Sequence, residues 1–436
     1  MDNLQGQEME GLLEWWQERE RRHVDDPGAS INAIALIYME DRGTRGLPST
    51  LHLDTVARVL HGFASRTRAA DGAGTENVMG VDSTVPGAAP MRQDAVLSGV
   101  RATGSMHLGN YLGVLERFAA MSRDVSKRCF FFVADLHTLT THKEARDIRA
   151  HAPNIVLDML AAGVDPERAV IYVQSRVPVV TELMWYLACL APTGDLERMP
   201  TFKEKADKHS DDVNGGLYCY PVLMAADILG ARADLVPVGK DQQPHLEFAR
   251  ELARRFNARY ETKYLVEPDG MAEESITVPG LVVYNEELKT FAKMGKSEAP
   301  EQTLYLADSA EAMAAKIRRA PTDPQRARRT DPGDPQKCAL FQLHALVSSN
   351  EEFKWSANGC RTAGISCVEC KDVLARNVTA RLAAFHERRA VLAAHPERIE
   401  EVLHVGTIRA TTRFEETTAV VADYMGVYRP KLTRTP

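Results

Sequence analysis

The sequence predicts an α/β fold, a doubly wound parallel sheet of the Rossmann-like kind, followed by an α-helical C-terminal domain. Three short β-rich runs, each followed by a helical pattern, cover residues 95–100, 129–134 and 170–174. From about residue 302 onward, apolar residues instead recur at helical spacing, over 312–319, 338–348, 368–397 and 412–425. Alternating strands and helices indicate a parallel sheet, in which ligands bind at the C-terminal ends of the strands.

A change in composition predicts the domain boundaries. Residues 65–91 are rich in Gly, Ala, Ser, Thr and Pro, which is typical of a flexible connection. Before them, helix-like and strand-like runs suggest a small α/β module. We therefore expect an N-terminal extension over 1–92, a Rossmann-like domain over 93–300 and a helical domain over 301–436.

Composition and charge restrict the class of protein. The chain has 436 residues, of which 44% are hydrophobic, and no run approaches the roughly 18 consecutive apolar residues that a membrane span needs. Its N-terminus is charged rather than apolar, so we expect a cytoplasmic protein. A net charge of −7 argues against a nucleic-acid binder with a uniformly basic surface, although one local basic face remains possible.

A glycine-rich turn follows the first predicted strand. The run LSGVRATGSMHLGNYLG, residues 97–113, places Gly99, Gly104 and Gly109 around a strand-to-helix turn, with His107 and Asn110 at its far edge. Such a turn lets backbone N–H groups approach phosphate at the start of a helix. Alone this is weak evidence, because glycines at such turns are often structural and a lone histidine is more often packed or solvated.

A second motif makes the pattern specific. His107-Leu108-Gly109-Asn110 resembles the HIGH signature of class I aminoacyl-tRNA synthetases, and Lys293-Met294-Gly295-Lys296-Ser297 resembles their KMSKS signature. The resemblance implies catalytic roles for His107, Asn110, Lys293 and Lys296. It also implies an ATP site, with Mg²⁺, formed by Arg101, Ala102, Thr103, Gly109, Asn110, Gly239, Lys240, Asp241, Val278, Lys293, Met294, Gly295, Lys296 and Ser297.

Two further segments narrow the resemblance. Residues 194–205, GDLERMPTFKEK, and residues 220–252 are similar to the tryptophanyl-tRNA synthetases. Membership of that family implies that the chain activates L-tryptophan with ATP and transfers it to tRNA(Trp), as a homodimer. It further implies a tryptophan site formed by Leu97, Gly99, His137, Tyr220, Met224, Asp227, Val238 and Gln242.

Asp227 fits that implied role on chemical grounds. Indole has one N–H donor on an otherwise apolar ring system, so its site needs one fixed acceptor among hydrophobic residues. Asp227 lies within MAADIL, among Ala and Ile residues. A buried carboxylate left without a donor is costly, so such a site would reject phenylalanine. The alternative for a lone Asp is a helix N-cap or a salt bridge.

The chain departs from the family pattern at several positions, and these keep alternatives open. Lys240 stands where Glu is usual, Ala102 where Pro is usual, and Gly295 where the central Ser is usual, while the loop over 281–292 is longer. A synthetase-like paralogue with a regulatory or inhibitor-resistant role is one alternative. A tyrosyl-tRNA synthetase is another, since phenol also needs a buried acceptor, and a related nucleotidyltransferase is a third.

Four of the seven cysteines crowd into one short region. Between Cys338, Cys360, Cys367 and Cys370 lie 21, six and two residues. Four thiolates suit tetrahedral zinc or a 4Fe–4S cluster, and spacing alone does not choose. The surrounding residues 330–344 resemble the tryptophanyl-tRNA synthetases that carry a cluster, which implies 4Fe–4S with structural zinc as the alternative.

A basic run borders these cysteines. The positively charged residues of the run and its neighbours are Lys316, Arg318, Arg319, Arg326, Arg328, Arg329, Lys371 and Arg376. Such a run is usually a solvated face, but here it lies in the domain that the resemblance assigns to anticodon binding. We therefore expect this surface to hold the anticodon stem of the tRNA.

Overall fold

The computed structural model describes residues 93–141, 145–199, 214–239, 242–272, 276–295 and 299–429. Its strands are β1 (Asp94–Arg101), β2 (Lys127–Ala134), β3 (Val170–Val173), β4 (Leu235–Val238) and β5 (Asp269–Ala272). The helices of the sheet region are α1 (Leu108–Asn110), α2 (Glu116–Arg123), α3 (Asp135–Thr138), α4 (Ala145–Ala161), α5 (Val179–Ala188), α6 (Thr193–Glu197), α7 (Gly215–Gly230) and α8 (Gln243–Arg259). The predictions for residues 1–92 lie outside the described residues.

The five strands form one parallel sheet in the order β3-β2-β1-β4-β5. The three strands predicted from the sequence are confirmed, and β4 and β5 complete the sheet. Chain order reverses between β1 and β4, which creates a crevice at the carboxyl ends of these two strands. The predicted α/β fold is therefore correct, and the crevice is where a ligand is expected.

Each face of the sheet packs against its own layer of helices. Alternate residues of β2 point to opposite faces, so that Phe131 joins one hydrophobic cluster and Phe132 joins the other. The first cluster includes residues of α4, and the second includes residues of α5, α7 and α8. The site thus lies in a sandwich of three layers with two separate cores.

The C-terminal region is helical, as predicted. It comprises α9 (Ala310–Arg319), α10 (Ala339–Val347), α11 (Asn350–Arg361), α12 (Cys367–Ala393) and α13 (Pro396–Tyr424). The helix predicted over 368–397 instead ends at Ala393, because Pro396 cannot donate a backbone hydrogen bond and begins the next helix. Helix α13 is longer than predicted and packs along β3, where the helix backbone at Gly406 meets Ile171.

The described residues belong to one compact unit that spans 89–436, and the predicted division of this unit at residue 300 stays a prediction. Within the described part of the chain, none of the helices combines the length and the apolar character that crossing a membrane requires.

Candidate active site

A cavity of about 570 Å³ opens at the carboxyl ends of β1 and β4. This size is typical of small-molecule sites. All eight residues predicted to bind tryptophan line it: Leu97, Gly99, His137, Tyr220, Met224, Asp227, Val238 and Gln242. Two residues predicted for the ATP site, Arg101 and Gly239, line it as well. The structure therefore brings the predicted amino-acid site and part of the predicted nucleotide site into one cavity.

Helix α7 supplies three of the lining residues from one of its faces. Tyr220, Met224 and Asp227 follow one another at intervals of four and three residues, which aligns them along the helix. The helix begins at the N-cap Asn214, whose side chain accepts a hydrogen bond from the backbone N–H of Leu217. The carboxylate is thus held on a rigid, capped element.

Asp227 lies at the buried end of the cavity and is 1% exposed. The Nε2 of Gln174 donates to both of its oxygens, at 3.0 Å from Oδ1 and 2.8 Å from Oδ2. The Nε2 of His137 lies 3.0 Å from Oδ2. Asp227 lies in the middle of α7, whose N-cap is Asn214, so the helix-cap alternative is wrong. Its pairing with His137 is a buried contact within the cavity rather than a surface salt bridge.

Burial and hydrogen bonding act on this carboxyl group in opposite directions. Burial raises the pKa of Asp227 above its usual value, while the hydrogen bonds from His137 and Gln174 oppose the rise. A carboxylate so placed has a strong tendency to accept a further donor. An N–H group entering the cavity would supply one.

Two polar residues of the site were missed by the sequence reasoning. Gln174 is fully buried and directly follows β3, and His245 is fully buried in α8, where its Nε2 lies 2.7 Å from the hydroxyl of Tyr220. The contacts of these two residues with the site depend on how the strands and helices are arranged in space. They could therefore not be predicted before the order of the strands was known. A glutamine after an apolar strand was the available signal for Gln174.

Backbone hydrogen bonds join the first signature to the segment that follows the second signature. The N–H of Leu108 donates to the carbonyl of Leu304, and the N–H of Leu306 donates to the carbonyl of Met106, both at 2.9 Å. Within the signature, the backbone N–H of His107 donates to Oδ1 of Asn110 at 3.1 Å. The turn at His107 is therefore held against residues 304–306, which follow the second signature in the chain.

The described part of the second signature lies beside the same turn. The N–H of Met294 donates to the carbonyl of Val278 at 2.8 Å, and a Cβ placed on Gly109 would lie 3.5 Å from the Cβ of Val278. The hydroxyl of Thr303 donates to the carbonyl of Gly295 at 3.0 Å. The predicted residues Lys240, Asp241, Lys296 and Ser297 lie outside the described residues.

The remaining predicted ATP residues differ in their accessibility. Arg101 lines the cavity, and its Nη2 donates to the hydroxyl of Thr141 at 2.6 Å. Ala102 is fully buried, and its backbone N–H donates to the hydroxyl of Thr138 at 3.0 Å. Thr103 is half-buried. Arg101 thus lines the cavity while its Nη2 donates within the protein, and the N–H of Ala102 is likewise used within the protein.

The four cysteines line a second cavity, in the helical region. Cys338 precedes α10, Cys360 lies in the last turn of α11, and Cys367 and Cys370 lie in the first turn of α12. Among the described residues, no group of three or more His, Cys, Asp or Glu side chains is arranged so that it could hold a metal ion. The predicted thiols are therefore brought together around one space, without a ready-made site for a single ion.

Burial raises the pKa of three of these thiols. The pKa of Cys370 rises to about 12, and those of Cys338 and Cys360 also rise. Arg326 lines the same cavity, and its charge opposes the rise at Cys360. His344 Nε2 lies 3.4 Å from the sulfur of Cys370. The cavity therefore combines thiols with nitrogen donors able to hydrogen-bond to sulfur.

The long loop over 281–292 connects the two sites. It forms a small hairpin in which the N–H of Asn285 donates to the carbonyl of Thr290 at 2.9 Å. Val283 of this hairpin pairs with Cys338, and Glu286 forms a 2.7 Å ion pair with Lys337. Because the hairpin leads directly into the second signature, the extra length of this loop links the cysteine cavity to that signature.

Several cations of the predicted basic surface are engaged within the protein. Lys371 donates to the carbonyls of Arg318 and Ala320, and Lys316 forms a 2.7 Å ion pair with Asp308. Further ion pairs join Arg318 to Asp372, Arg329 to Glu369 and Arg376 to Glu352. Arg318, Arg319, Arg328, Arg329 and Arg376 are exposed. Much of the basic surface is thus accessible, although ion pairs with neighbouring carboxylates offset part of its charge.

The sequence is similar to a well-defined family. Residues 90–383 match the family described as tRNA synthetases class I (W and Y). A tryptophan–tRNA ligase of Porphyromonas gingivalis is 40% identical over 337 residues, which cover 76% of this chain and 99% of that protein. A tryptophan–tRNA ligase of Deinococcus radiodurans is 36% identical over 339 residues, covering 77% of this chain and 98% of the relative.

Solved structures agree with the sequence relatives. A tryptophanyl-tRNA synthetase of Campylobacter jejuni, in complex with ADP and tryptophan, superposes with a TM-score of 0.66 at 28% identity. The match covers 76% of this chain and all of the other. A tryptophanyl-tRNA synthetase of Mycoplasma pneumoniae gives a TM-score of 0.62 at 27% identity, covering 77% and 98% of the two chains.

Proposed function

The chain belongs to the tryptophan–tRNA ligases of the class I tRNA synthetases, and we infer that it charges tRNA(Trp) with L-tryptophan. In the first step the carboxylate of tryptophan attacks the α-phosphate of ATP, forming tryptophanyl-adenylate and releasing pyrophosphate. In the second, a ribose hydroxyl at the 3′ end of the tRNA takes the tryptophanyl group and AMP leaves. The ATP enters as its Mg²⁺ complex.

One observation carries the assignment of the amino-acid site: Asp227 is buried at the end of an otherwise largely apolar cavity, with donors on both of its oxygens. An indole N–H satisfies the remaining acceptor capacity of this carboxylate. Phenylalanine has no such donor, so its entry would leave the buried acceptor without a partner. We therefore assign the indole nitrogen to Asp227.

The nucleotide is assigned to the other side of the same cavity. Arg101 lines the cavity at the end of β1, where its cation favours phosphate, and Gly239 lines the cavity at the end of β4. Lys293 and Lys296 are proposed to meet the charge that develops on the pentacoordinate α-phosphate and on the departing pyrophosphate. No protein nucleophile is required, because alignment and charge neutralisation lower the barrier.

ATP–pyrophosphate exchange tests this function directly. The purified chain should exchange label into ATP in the presence of tryptophan and not of tyrosine. Exchange with tyrosine alone would instead identify a tyrosyl enzyme. An absence of exchange with either amino acid, in protein that still binds tryptophan, would favour the alternative of a synthetase-like regulatory paralogue.

We further propose that the four cysteines hold a 4Fe–4S cluster. The support is the donor set itself: four thiols line one cavity, beside Arg326, whose charge favours the thiolate form that binds metal. A cluster bound by all four would join the ends of three helices covalently and so fix this part of the helical region. Structural zinc is the alternative.

The metal is identified by analysis of anaerobically purified protein. Iron and acid-labile sulfide in equal amounts, with the visible absorption of thiolate-bound iron, would support the cluster. Cys367→Ser should abolish that absorption, whereas Cys189→Ser, at an exposed cysteine outside the cavity, should leave it unchanged. Stoichiometric zinc without iron would reject the cluster in favour of zinc.

Three further parts of the proposal concern the setting of the enzyme. The exposed residues Arg328 and Arg329 are proposed to contact the anticodon stem. A homodimer is proposed, in keeping with the exposed Trp185 on α5, which is 69% exposed in the single chain. Light scattering of the purified chain tests the dimer. A cytoplasmic location is proposed because tRNA is charged there.

A further inference from the structure

Three residues lie side by side across the strands that form the floor of the main cavity. Gly99 of β1 pairs with Phe132 of β2, and Phe132 pairs with Tyr172 of β3. Because paired residues of parallel strands project to the same face, these three share the face of Leu97, which lines the cavity together with Asp227 of α7. Phe132 and Gly99 both line the cavity.

The ring of Phe132 extends across Gly99. A Cβ placed on Gly99 would lie only 2.6 Å from Cζ and 2.7 Å from Cε1 of that ring. No residue other than glycine fits there unless the ring moves. The glycine is therefore explained by the position of the phenylalanine, rather than by a turn or a phosphate contact.

The ring is held firmly from its other side. Tyr172 stacks on it, with ring centroids 5.5 Å apart and planes 18° from parallel. Tyr172 in turn packs edge-on against Phe414 of α13, at 6.2 Å and 66°. Phe132 is 5% exposed, and the small part of its ring that the protein leaves uncovered lines the cavity. A ring fixed in this way presents a constant apolar surface to the cavity.

We propose that Phe132 is a specificity-determining residue of the tryptophan site: its ring is the aromatic wall against which the indole lies while Asp227 holds the indole nitrogen. This inference rests on the proposed function. Stacked or edge-to-face aromatic contacts favour a large flat ligand beyond the burial of area alone. Gly99 serves the same purpose indirectly, since it leaves room for the ring.

The substitution Phe132→Leu tests the assignment, with tryptophan-dependent pyrophosphate exchange as the assay. The KM for tryptophan should rise about tenfold, the upper end of what one aromatic contact contributes. The KM for ATP and the kcat should stay within about twofold of the wild-type values. The lost contact with the indole is made equally in the ground state and in the transition state, and the contacts with the phosphates of ATP are kept. If Phe132→Leu fails to fold, Phe132→Met, whose unbranched side chain adapts better to an irregular space, is expected to give the same result.

The neighbouring ring provides a matched control. Phe131 is fully buried on the opposite face of β2, where it stacks on Phe118 with centroids 4.1 Å apart. Phe131→Leu should lower the thermal midpoint at least as much as Phe132→Leu, yet leave the KM for tryptophan unchanged. An equal rise in KM for both variants would show a general loss of packing and would overturn the proposal.

Mutational coupling separates contact from proximity. Gly99→Ala alone should raise the KM for tryptophan, because its Cβ displaces the ring of Phe132. In the Phe132→Leu background the same alanine should add little, so the two effects should be strongly non-additive. If the wild-type chain activates tryptophan but Phe132→Leu leaves the KM for tryptophan unchanged, this inference alone is overturned. A wild-type chain without tryptophan-dependent exchange would overturn the proposed function as well.

Discussion

Gln174 donates to both carboxylate oxygens of Asp227, and so it is the protein group that most completely satisfies this buried charge. The two residues come from different elements, the end of β3 and the middle of α7, which are 53 positions apart in the chain. Hydrogen bonds to a charged group each contribute about 1.5–3 kcal/mol. Gln174 therefore keeps Asp227 available as an ionised acceptor.

Replacing Gln174 by leucine should raise the KM for tryptophan by at least about tenfold near neutral pH. Burial already raises the pKa of Asp227, and loss of both donors removes an opposing effect, so the pKa should rise further. The KM should consequently fall as pH rises over the range in which the enzyme is stable, because more of the carboxyl group becomes ionised. Pyrophosphate exchange measured across this range checks the prediction; a wild-type pH profile in Gln174→Leu would contradict it. The KM for ATP is the internal control.

Asp227→Asn should stabilise the fold and lower the activity. The raised pKa of Asp227 means that the unfolded chain ionises first as pH increases. Below the pKa of Asp227 in the unfolded chain, this residue does not lower the free energy of unfolding. As the pH rises above that value the free energy of unfolding decreases, and the full decrease is reached above the pKa of Asp227 in the folded protein. The asparagine variant avoids this penalty, so its thermal midpoint should exceed that of the wild type by a margin that grows with pH.

Activity of the same variant should move in the opposite direction. Its kcat/KM for tryptophan should fall about 100-fold, because a neutral amide replaces a charged acceptor of the indole N–H. Thermal unfolding and exchange, measured on the same preparations, give the two readouts. A variant less stable than the wild type at every pH would show that the carboxylate stabilises the fold, contrary to this account.

Much of the site could be predicted from short segments of the sequence. Tyr220, Met224 and Asp227 were implied by the resemblance of residues 220–252 to the tryptophanyl-tRNA synthetases, and the short spacing of the cysteines indicated a common site. The three apolar strands were also recognisable by their β-branched and aromatic residues. These features need only neighbouring residues to be read.

Other features depend on which elements meet in space. The strand β5, with the sequence DGMA, is too short and polar to be recognised, and it forms because β4 offers it an edge. The contact of Gln174 with Asp227 requires the order of the strands. The pairing of Val283 with Cys338 likewise joins a loop and a helix start that no local pattern connects.

Removal of positive charge from the helical region should separate tRNA binding from amino-acid activation. The double variant Arg328→Ala/Arg329→Ala removes two exposed cations. If they contact tRNA phosphates, affinity should fall and its dependence on salt should become flatter by one to two counterions, about 0.7–0.9 in slope for each phosphate contact. Filter binding at several salt concentrations measures both, and tryptophan-dependent exchange should be unchanged.

The double variant Arg250→Ala/Arg254→Ala is the control for that experiment. These two arginines lie on α8 within a network of ion pairs to Glu247, Glu251 and Glu267. Their removal should leave the salt dependence of tRNA binding unchanged. Equal losses in both double variants would indicate a non-specific effect of charge and would exclude the assigned surface.

Among the glycines in the described part of the chain, Gly406 leaves the least room for a side chain, where α13 packs on the sheet. A Cβ on Gly406 would lie 1.7 Å from the carbonyl oxygen of Ile171 in β3, so alanine requires the helix and the strand to separate. Because the oxygen belongs to the backbone and the position of a Cβ is fixed by the backbone, rotation of a side chain gives no relief. Gly406→Ala should reduce the free energy of unfolding by about 3 kcal/mol or prevent folding, as expected for overpacking that cannot relax.

A second glycine isolates this steric effect from the general preference of helices for alanine. Gly215 is the first residue of α7, and a Cβ placed there meets no atom within 4 Å. Gly215→Ala should therefore be neutral or stabilise the chain by up to about 1 kcal/mol. Midpoints of thermal unfolding of the two variants provide the comparison. Were Gly406→Ala to unfold at the wild-type temperature, α13 would not pack directly on β3, and the support of Tyr172 and Phe132 by this helix would fall with it.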